Sequence, residues 1–307
     1  MDAYVLIATR GRSREVLELL EWLEEQTLQP LGVVVIGTSS SDLVDAKRHR
    51  FASCGILHIQ ASDVPGLCIQ RNLGCKVIRD LHAHASRGSS YFVAFFDDDF
   101  RPAHDWLVAC RAIFASSPVT VGVTGHVLAD GVRGASLSTA DARAYICGQK
   151  AAMPHWASGK VQREIDCAYG CNMAFRDCVV HSCRFDENLP LYGWQEDQDF
   201  TTQAKAFGRI IYAPECRGVH LGVKSGRTAG LRLGYSQIAN PWYLTRKGTM
   251  PIGKATKFVV RHLIVNVVRS LRWNRIVDYR GRLHGNLAAV RDLLRGRCHP
   301  MRVLELE

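Results

Sequence analysis

The sequence predicts an α/β fold: a mostly parallel central sheet with helices on both faces, followed by a basic helical extension at the C-terminus. Three observations carry this. Apolar runs of strand length alternate with amphipathic stretches of helix length from residue 4 to residue 115. The apolar runs are solid rather than alternating, as strands buried on both faces read. The last 54 residues hold twelve Lys or Arg against four acids, a surplus of +8 in a chain whose net charge is +10.

Each element follows from its pattern. "YVLIAT" (4–9) is a buried strand ended by Arg-Gly-Arg. "SREVLELLEWLEEQ" follows as a helix with Ser13 as N-cap and Val16, Leu19, Leu20 and Leu23 on one face. "GVVVIG" (32–37) is the second strand, 42–51 a polar helical segment, "ILHIQ" (56–60) a short strand and 68–84 a helix. "YFVAFF" (91–96) is the next buried strand, and "DWLVACRAIFA" (105–115) a helix. From 125 to 165 the pattern weakens into small and polar residues, read as a mobile or acceptor-shaping insertion. Order returns at "CAYGCNMAFRD" (167–177). A loop, a helix over 195–207, a strand at 209–213 and "GVHLG" (218–222) come next. "KSGRTAGLRLG" (224–234) has the composition of a flexible basic loop.

At 307 residues, 47% hydrophobic and 22% charged, the chain has the composition of a soluble globular protein able to bury a substantial core. The start carries an acid at position 2 and only a strand-length apolar run, so no secretory signal is expected. No apolar segment approaches the roughly 18 residues of a spanning helix. The eleven cysteines are scattered. Their densest cluster, Cys167, Cys171, Cys178 and Cys183, contains no C-x-x-C, which favours free thiols in a reducing cytoplasm over a zinc site.

The chemistry concentrates at "YFVAFFDDDFRP". Three adjacent carboxylates at the end of a buried strand repel one another unless a cation or hydrogen-bond donors offset the charge. Ligands of parallel α/β sheets bind beyond the carboxyl ends of the strands. Thr9-Arg10 and Asp97-Asp98-Asp99 both fall at such ends. "GWQEDQDF" (193–200) and His220 follow in order.

This ordered set resembles the inverting family 2 glycosyltransferases of the GT-A fold, a Rossmann-like architecture, in particular the bacterial polysaccharide-assembly type. The resemblance covers residues 3–222. It implies transfer of a sugar from a nucleotide-diphosphate sugar to a hydroxyl of a glycan or lipid-linked glycan acceptor. By the resemblance, Asp97 and Asp98 contact the donor, and Asp99, Asp97 and His220 hold Mn²⁺ or Mg²⁺. Asp197 is the base, with Glu196 beside it. Thr9, Arg10, Thr38, Arg71 and Asn72 bind the donor. Gly170, Cys171, Asn172 and Trp194 line the acceptor and sugar pocket. The chain departs from the family after the second strand, where "VIGTSSSD" replaces an acidic turn that reads the base. Thr38, Ser39 or Asp42 stands in its place.

The division expected is a GT-A domain over 1–240 and a basic amphipathic extension over 241–307. Within the domain, residues 1–124 are nucleotide-binding and 125–240 acceptor and catalytic. In "GKATKFVVRHLIVNVVRSLRW" (253–273), Val260, Leu263, Ile264, Val267 and Leu271 form one stripe, with Lys257, Arg261, Arg269 and Arg272 toward the other side. With the basic segment 279–297, this suits an anionic membrane surface and a peripheral position at the cytoplasmic face. Nucleic acid is not an expected partner, since no recognition motif accompanies the charge. A D-x-D phosphohydrolase would want a small β-branched residue where Arg101 stands, and a silent sugar-binding scaffold has no need of the acidic pairs.

Overall fold

The computed structural model describes residues 1–48, 55–85, 88–132, 134–226, 229–271 and 277–306. Its first elements are β1 (Asp2–Ala8), α1 (Ser13–Glu24), β2 (Gly32–Gly37), α2 (Val44–Arg48), β3 (Ile56–Ala61), α3 (Leu67–His84) and β4 (Tyr91–Asp97). Then come β5 (Phe100–Pro102), α4 (Trp106–Ser116), β6 (Thr120–Asp130), α5 (Thr139–Ile146), β7 (Arg163–Glu164), β8 (Asn172–Arg176) and α6 (Asp177–Ser182). The last are α7 (Glu196–Ala204), β9 (Arg209–His220), α8 (Gly230–Lys247), α9 (Ile252–Ser270) and α10 (Tyr279–Leu294). Two compact units divide the chain. The first is Met1–Pro65, Ile69–Arg184 and Gln203–Gly226; the second is Gly66–Cys68, Phe185–Thr202 and Arg227–Glu307.

The first unit is built on one sheet in the order β3-β2-β1-β4-β8-β6-β9-β5, with β7 against β9. The expected parallel arrangement holds for β3-β2-β1-β4 and for β6 with β9. Beyond β4 it gives way, because β8 runs antiparallel to both β4 and β6, and β5 and β7 antiparallel to β9. The sheet is therefore mixed, with its three longest ladders parallel, as the expected fold class has it. The centres of β1, β2 and β4 are fully buried, which accounts for their unbroken apolar runs. Val16, Leu19, Leu20 and Leu23 of α1 pack into the same core, as the spacing predicts.

Several local expectations change. Ser13 is not the N-cap; it is the first residue of α1, and its Oγ accepts from Asp45 N (2.9 Å). The polar segment expected over 42–51 is a turn at Ser40–Leu43 followed by α2, and 49–51 lie outside the described residues. The described residues of the supposed insertion carry regular structure. Strand β6 runs on to Asp130, and α5 is opened by a capping box in which Ser138 and Asp141 satisfy each other's backbone N–H. The segments 209–213 and 218–222 are not separate, since β9 is one strand to His220. It carries an irregularity: Gly125 pairs with Ala213 but His126 with Arg217, so Pro214, Glu215 and Cys216 stand opposite no residue of β6.

In the second unit, α8, α9 and α10 pack around Tyr235, Ile238, Ala239, Ala289 and Val303. Helix α8 runs through residues 240 and 241, the position of the expected domain division. Gly234 and Gly285 let α8 and α10 cross at backbone contact; a Cβ on either would strike the other helix. A buried amide cluster fixes the register of the three helices. Asn266 Nδ2 donates to Gln237 Oε1 (2.9 Å) and Asn286 Oδ1 (2.7 Å), and Asn286 Nδ2 donates to Gly234 O (2.7 Å). On α9, Val260, Ile264, Val267, Val268 and Leu271 are exposed. Leu263 instead packs inward, and Lys257 and Arg261 lie exposed beside the apolar arc rather than opposite it. Arg272 lies outside the described residues.

Candidate active site

Strand β4 ends on Asp97, and Asp98 and Asp99 turn the chain directly into β5. Strand β5 pairs antiparallel with the end of β9, which sets Phe100 opposite His220. That pairing joins residues 121 apart: His220 Nε2 lies 3.2 Å from Asp99 Oδ1. Backbone bonds fix the junction, with Leu221 N donating to Asp99 O (2.9 Å) and Val223 N to Asp99 Oδ2 (2.8 Å). Asp97, Asp99 and His220 each offer one ligand atom within 4.8 Å of the others; among the described residues no other group of three or more does so.

The remaining charge of the triple aspartate is met by the protein itself. Asp98 accepts from Thr9 Oγ1 (2.7 Å) and Arg12 Nη1 (2.8 Å). Arg12 also reaches Asp99 Oδ2 (3.4 Å), and it donates to Ser225 O (2.8 Å) and Val223 O (3.0 Å), fastening the segment after β9. Asp97 pairs with Arg71 (3.1 Å), which also donates to Gly170 O (2.8 Å). Fully buried Arg101 donates to Asp98 O (2.9 Å) and reaches Glu18 (3.2 Å), tying the turn to α1. Burial raises the Asp98 carboxyl well above its ordinary range, with Arg12 pulling it down and Asp99 pushing it up. Burial acts the same way on Asp99, but His220 and Arg12 outweigh it and hold that carboxyl below the usual range.

Behind His220 lies a second layer. His220 Nδ1 is 3.2 Å from Asp130 Oδ1, and Asp130 Oδ2 is 3.3 Å from His155 Nε2. Tyr169 donates its hydroxyl to Asp130 Oδ2 (2.9 Å). Burial opposes the Asp130 charge, yet hydrogen bonds with His155 and His220 hold its carboxyl well below the usual range. Burial also opposes the His220 imidazolium; Cys171, Asp99, Tyr169 and Asp130 more than offset it and raise the pKa well above normal. The Cys171 thiol itself is pushed up to about 12 by burial.

The sequence-predicted residues are distributed as follows. Thr9, Arg71, Asp97, Asp98, Asp99, Gly170, Cys171 and His220 come together in the first unit. Asn72 follows Arg71 on α3 and is half-buried, while Arg10 is exposed. Thr38 is engaged within its own turn, giving both its N–H (2.8 Å) and its hydroxyl (2.7 Å) to Asp42 Oδ2. Asp42 Oδ1 accepts from Gly11 N (2.8 Å), so this carboxylate braces the turn against the β1 loop. Asn172 is fully buried and accepts from Trp106 Nε1 (2.9 Å).

Glu196, Asp197 and Trp194 belong to the second unit. Glu196 and Asp197 open α7 after a loop in which Leu191, Gly193 and Gln195 all have positive φ (60°, 61° and 75°). Two non-glycine residues in that region cost roughly 1–3 kcal/mol each, strain that a packed surrounding must sustain. Trp194 meets His262 edge-on (5.1 Å), and its carbonyl accepts from Asn240 Nδ2 (2.8 Å). Asp199 is buried against Lys247 (2.9 Å), which also binds Asp186 (2.6 Å).

Sequence reasoning missed Arg12, Asp130, His155 and Tyr169. The first stands two residues from Arg10 in a loop already singled out. Asp130 meets His220 through the pairing of β6 with β9, His155 and Tyr169 reach Asp130 from outside the named strands, and none of the three leaves a local signal. The donor set of two carboxylates and an imidazole fits a hard divalent cation such as Mn²⁺ or Mg²⁺.

A mixed sheet flanked by helices, with an acidic turn at the end of β4 facing the end of β9, is the GT-A fold. The sequence matches no protein-family model and no curated protein. Among solved structures, the chain is similar to mannosyltransferase PcManGT from Pyrobaculum calidifontis in complex with GDP-Man and Mn²⁺. The identity is 15%, over 95% of this chain and 87% of that one, with a TM-score of 0.53. It is also similar to S. aureus TarS 1–349 in complex with UDP-GlcNAc, at 16% identity over 97% and 93% of the two chains and a TM-score of 0.51. Against TarS 1–349 in complex with UDP the identity is 18% and the TM-score 0.50. There, 71% of this chain spans 59% of that one.

Proposed function

We propose that this chain is an inverting, metal-dependent glycosyltransferase of family 2. It would move a sugar from a nucleotide-diphosphate sugar to a hydroxyl of a glycan or lipid-linked glycan in cell-surface polysaccharide assembly. The observation that carries the reading is the Asp97–Asp99–His220 group at the end of β4. The bound GDP-Man, Mn²⁺ and UDP-GlcNAc of the similar structures support it.

Asp97, Asp99 and His220 would hold the cation. When bound, it offsets the charge of the departing nucleoside diphosphate. Thr9 and Arg71 keep the acidic turn in place for the donor, with Arg10, Thr38, Asn72 and Asp98 as further donor contacts. Asp197 accepts the proton of the acceptor hydroxyl, so that the attacking oxygen gains nucleophilicity as its bond to the sugar forms. Glu196 assists it, and Gly170, Cys171, Asn172 and Trp194 line the sugar pocket. Residues 1–124 serve the nucleotide, 125–240 the acceptor and catalysis, and 241–307 the membrane.

The membrane role draws on α9. No helix among the described residues is long and apolar enough to cross a bilayer. The exposed arc of Val260, Ile264, Val267, Val268 and Leu271, with Lys257 and Arg261 beside it, has the character of a helix lying in the interface of an anionic surface. On α10 the exposed side carries Arg280, Arg291 and Arg295 with Leu287 and Leu294. The proposed location is peripheral, at the cytoplasmic face.

Calorimetric titration with UDP, GDP, TDP and CMP, each with and without Mn²⁺, tests the central reading. One nucleoside diphosphate should bind in a metal-dependent way. Failure of all four in the presence of Mn²⁺ would overturn it.

A further inference from the structure

Trp156 presents its indole to solvent, 51% exposed, from a backbone held at several points. Ala157 O accepts from Val127 N of β6 (2.9 Å), and Ala157 N donates to His155 Nδ1 (3.1 Å). Arg163 Nη2 donates to Trp156 O (3.1 Å), and Met153 N donates to Leu128 O (2.7 Å). The exposure is therefore not that of a loose loop. The indole meets Tyr169 edge-on, with centroids 5.6 Å apart at 70°, and His155 lies 5.7 Å from the one ring and 5.1 Å from the other.

This aromatic group is fastened to the metal-ligand group. Tyr169 gives its hydroxyl to Asp130, the partner of His220, and its ring stands edge-on to His220 at 6.1 Å. An indole fixed in place and left in water forgoes the burial that usually governs a tryptophan. What such a surface offers is a flat, polarisable face that needs no ordering when a ligand arrives. The matching ligand is flat and weakly apolar on one side and hydroxylated round its edge, which describes a pyranose ring.

We propose that Trp156, backed by Tyr169, is a stacking platform for a pyranose ring beside the Asp97–Asp99–His220 group. The platform's place in a transfer reaction rests on the glycosyltransferase reading, while sugar binding there stands on its own. A donor's sugar and an acceptor's sugar both supply such a ring, and the two are separable by experiment.

The experiment follows the indole N–H resonances of the full ¹⁵N-labelled chain, with Trp156→Phe identifying the Trp156 signal by its disappearance. One titration uses methyl glycosides of glucose, galactose, mannose and N-acetylglucosamine. The other compares UDP and GDP with UDP-GlcNAc and GDP-mannose, in the presence of Mn²⁺. Saturable movement with a methyl glycoside assigns the platform to an acceptor. Movement with a nucleotide sugar but not with its bare nucleotide assigns it to the donor's sugar. Trp156→Ala should weaken whichever affinity responds by about tenfold, with only a small fall in melting temperature because half of the ring is exposed. A Trp156 signal that stays fixed in both titrations overturns the platform, and bare-nucleotide binding in the same samples leaves the transferase reading standing. If UDP, GDP, TDP and CMP all fail to bind, that reading falls and the methyl glycosides alone decide the platform.

Discussion

Arg12 occupies the place where the three aspartates call for a positive charge: its Nη1 lies 2.8 Å from Asp98 Oδ1 and 3.4 Å from Asp99 Oδ2. The same guanidinium binds two carbonyls of the 223–225 segment, so the acidic turn and the chain after β9 share one fastener. Arg12→Ala leaves a buried carboxylate without its ion partner. It should cost about 3 kcal/mol of stability, the lower end for a broken buried pair, because Arg12 is partly exposed. Urea denaturation with and without Mn²⁺ measures this, and added Mn²⁺ should restore part of the loss. An unchanged midpoint would show that the pair contributes nothing.

Asp130 orients His220 from behind, through its bond to Nδ1. Carboxylates in that relation to a ligating imidazole set its tautomer and direction, and losing them lowers metal affinity by roughly 10- to 100-fold. Asp130→Asn should show that loss in Mn²⁺ titrations. Equal affinity in variant and wild type would remove Asp130 from the metal site.

Asp197→Asn separates base from scaffold. Sugar transfer should fall by about 10²- to 10⁴-fold, the usual contribution of a positioned general base, while nucleotide affinity stays as it was. Undiminished turnover would reassign the base.

Asp42 carries a pH dependence with a definite sign. Burial raises its pKa, but the Thr38 hydroxyl and the N–H groups of Gly11, Thr38 and Ser39 bring it below the ordinary value. A carboxyl lowered on folding contributes stability above its unfolded pKa of about 4, and loses it as the pH falls through the folded value. Wild type should therefore exceed Asp42→Asn by roughly 1–3 kcal/mol near neutral pH, with the gap closing below about pH 4. A gap that persists at pH 2 would point to shape rather than charge.

The apolar arc of α9 gives a surface prediction. Ile264 is 58% exposed and Leu271 80% exposed, so Ile264→Asp with Leu271→Asp should leave the fold intact. Sedimentation with phosphatidylserine-containing vesicles should fall to the level seen with neutral vesicles. Equal sedimentation of wild type and variant would move the contact elsewhere.

What the sequence disclosed follows from the range over which each interaction acts. Strands β1, β2 and β4 announce themselves because burial on both faces demands an unbroken apolar run. Asp97–Asp99 stands out because three clustered carboxylates need an explanation. The α5 capping box was present in "STAD" but sat among small residues that dilute the helical pattern. The joining of 209–213 to 218–222 in one strand was hidden by Pro214 and Gly218, which read locally as breaks. Asp130 carries no mark of its role, since only the pairing of β6 with β9 brings it to His220, and His155 reaches Asp130 only from a loop bonded to β6. Arg12 shows the same limit: its loop is legible in the sequence, the direction of its side chain is not.

The three unpaired residues of β9, Pro214 to Cys216, have a consequence for how this chain can change. Successive side chains of a strand point to opposite sides, so the direction of His220 depends on the number of residues that precede it after Ala213. Deleting one residue there would either shorten the irregularity or slip the pairing of 217–220, and a slip of one would turn the imidazole away from Asp99. Pro214 and Glu215 have no ladder partner on β6 and are open to drift, whereas Cys216 is fully buried in the core, and the number of residues is constrained as well. The imidazole's place is thus written in chain length, a quantity that no comparison of residue types would register.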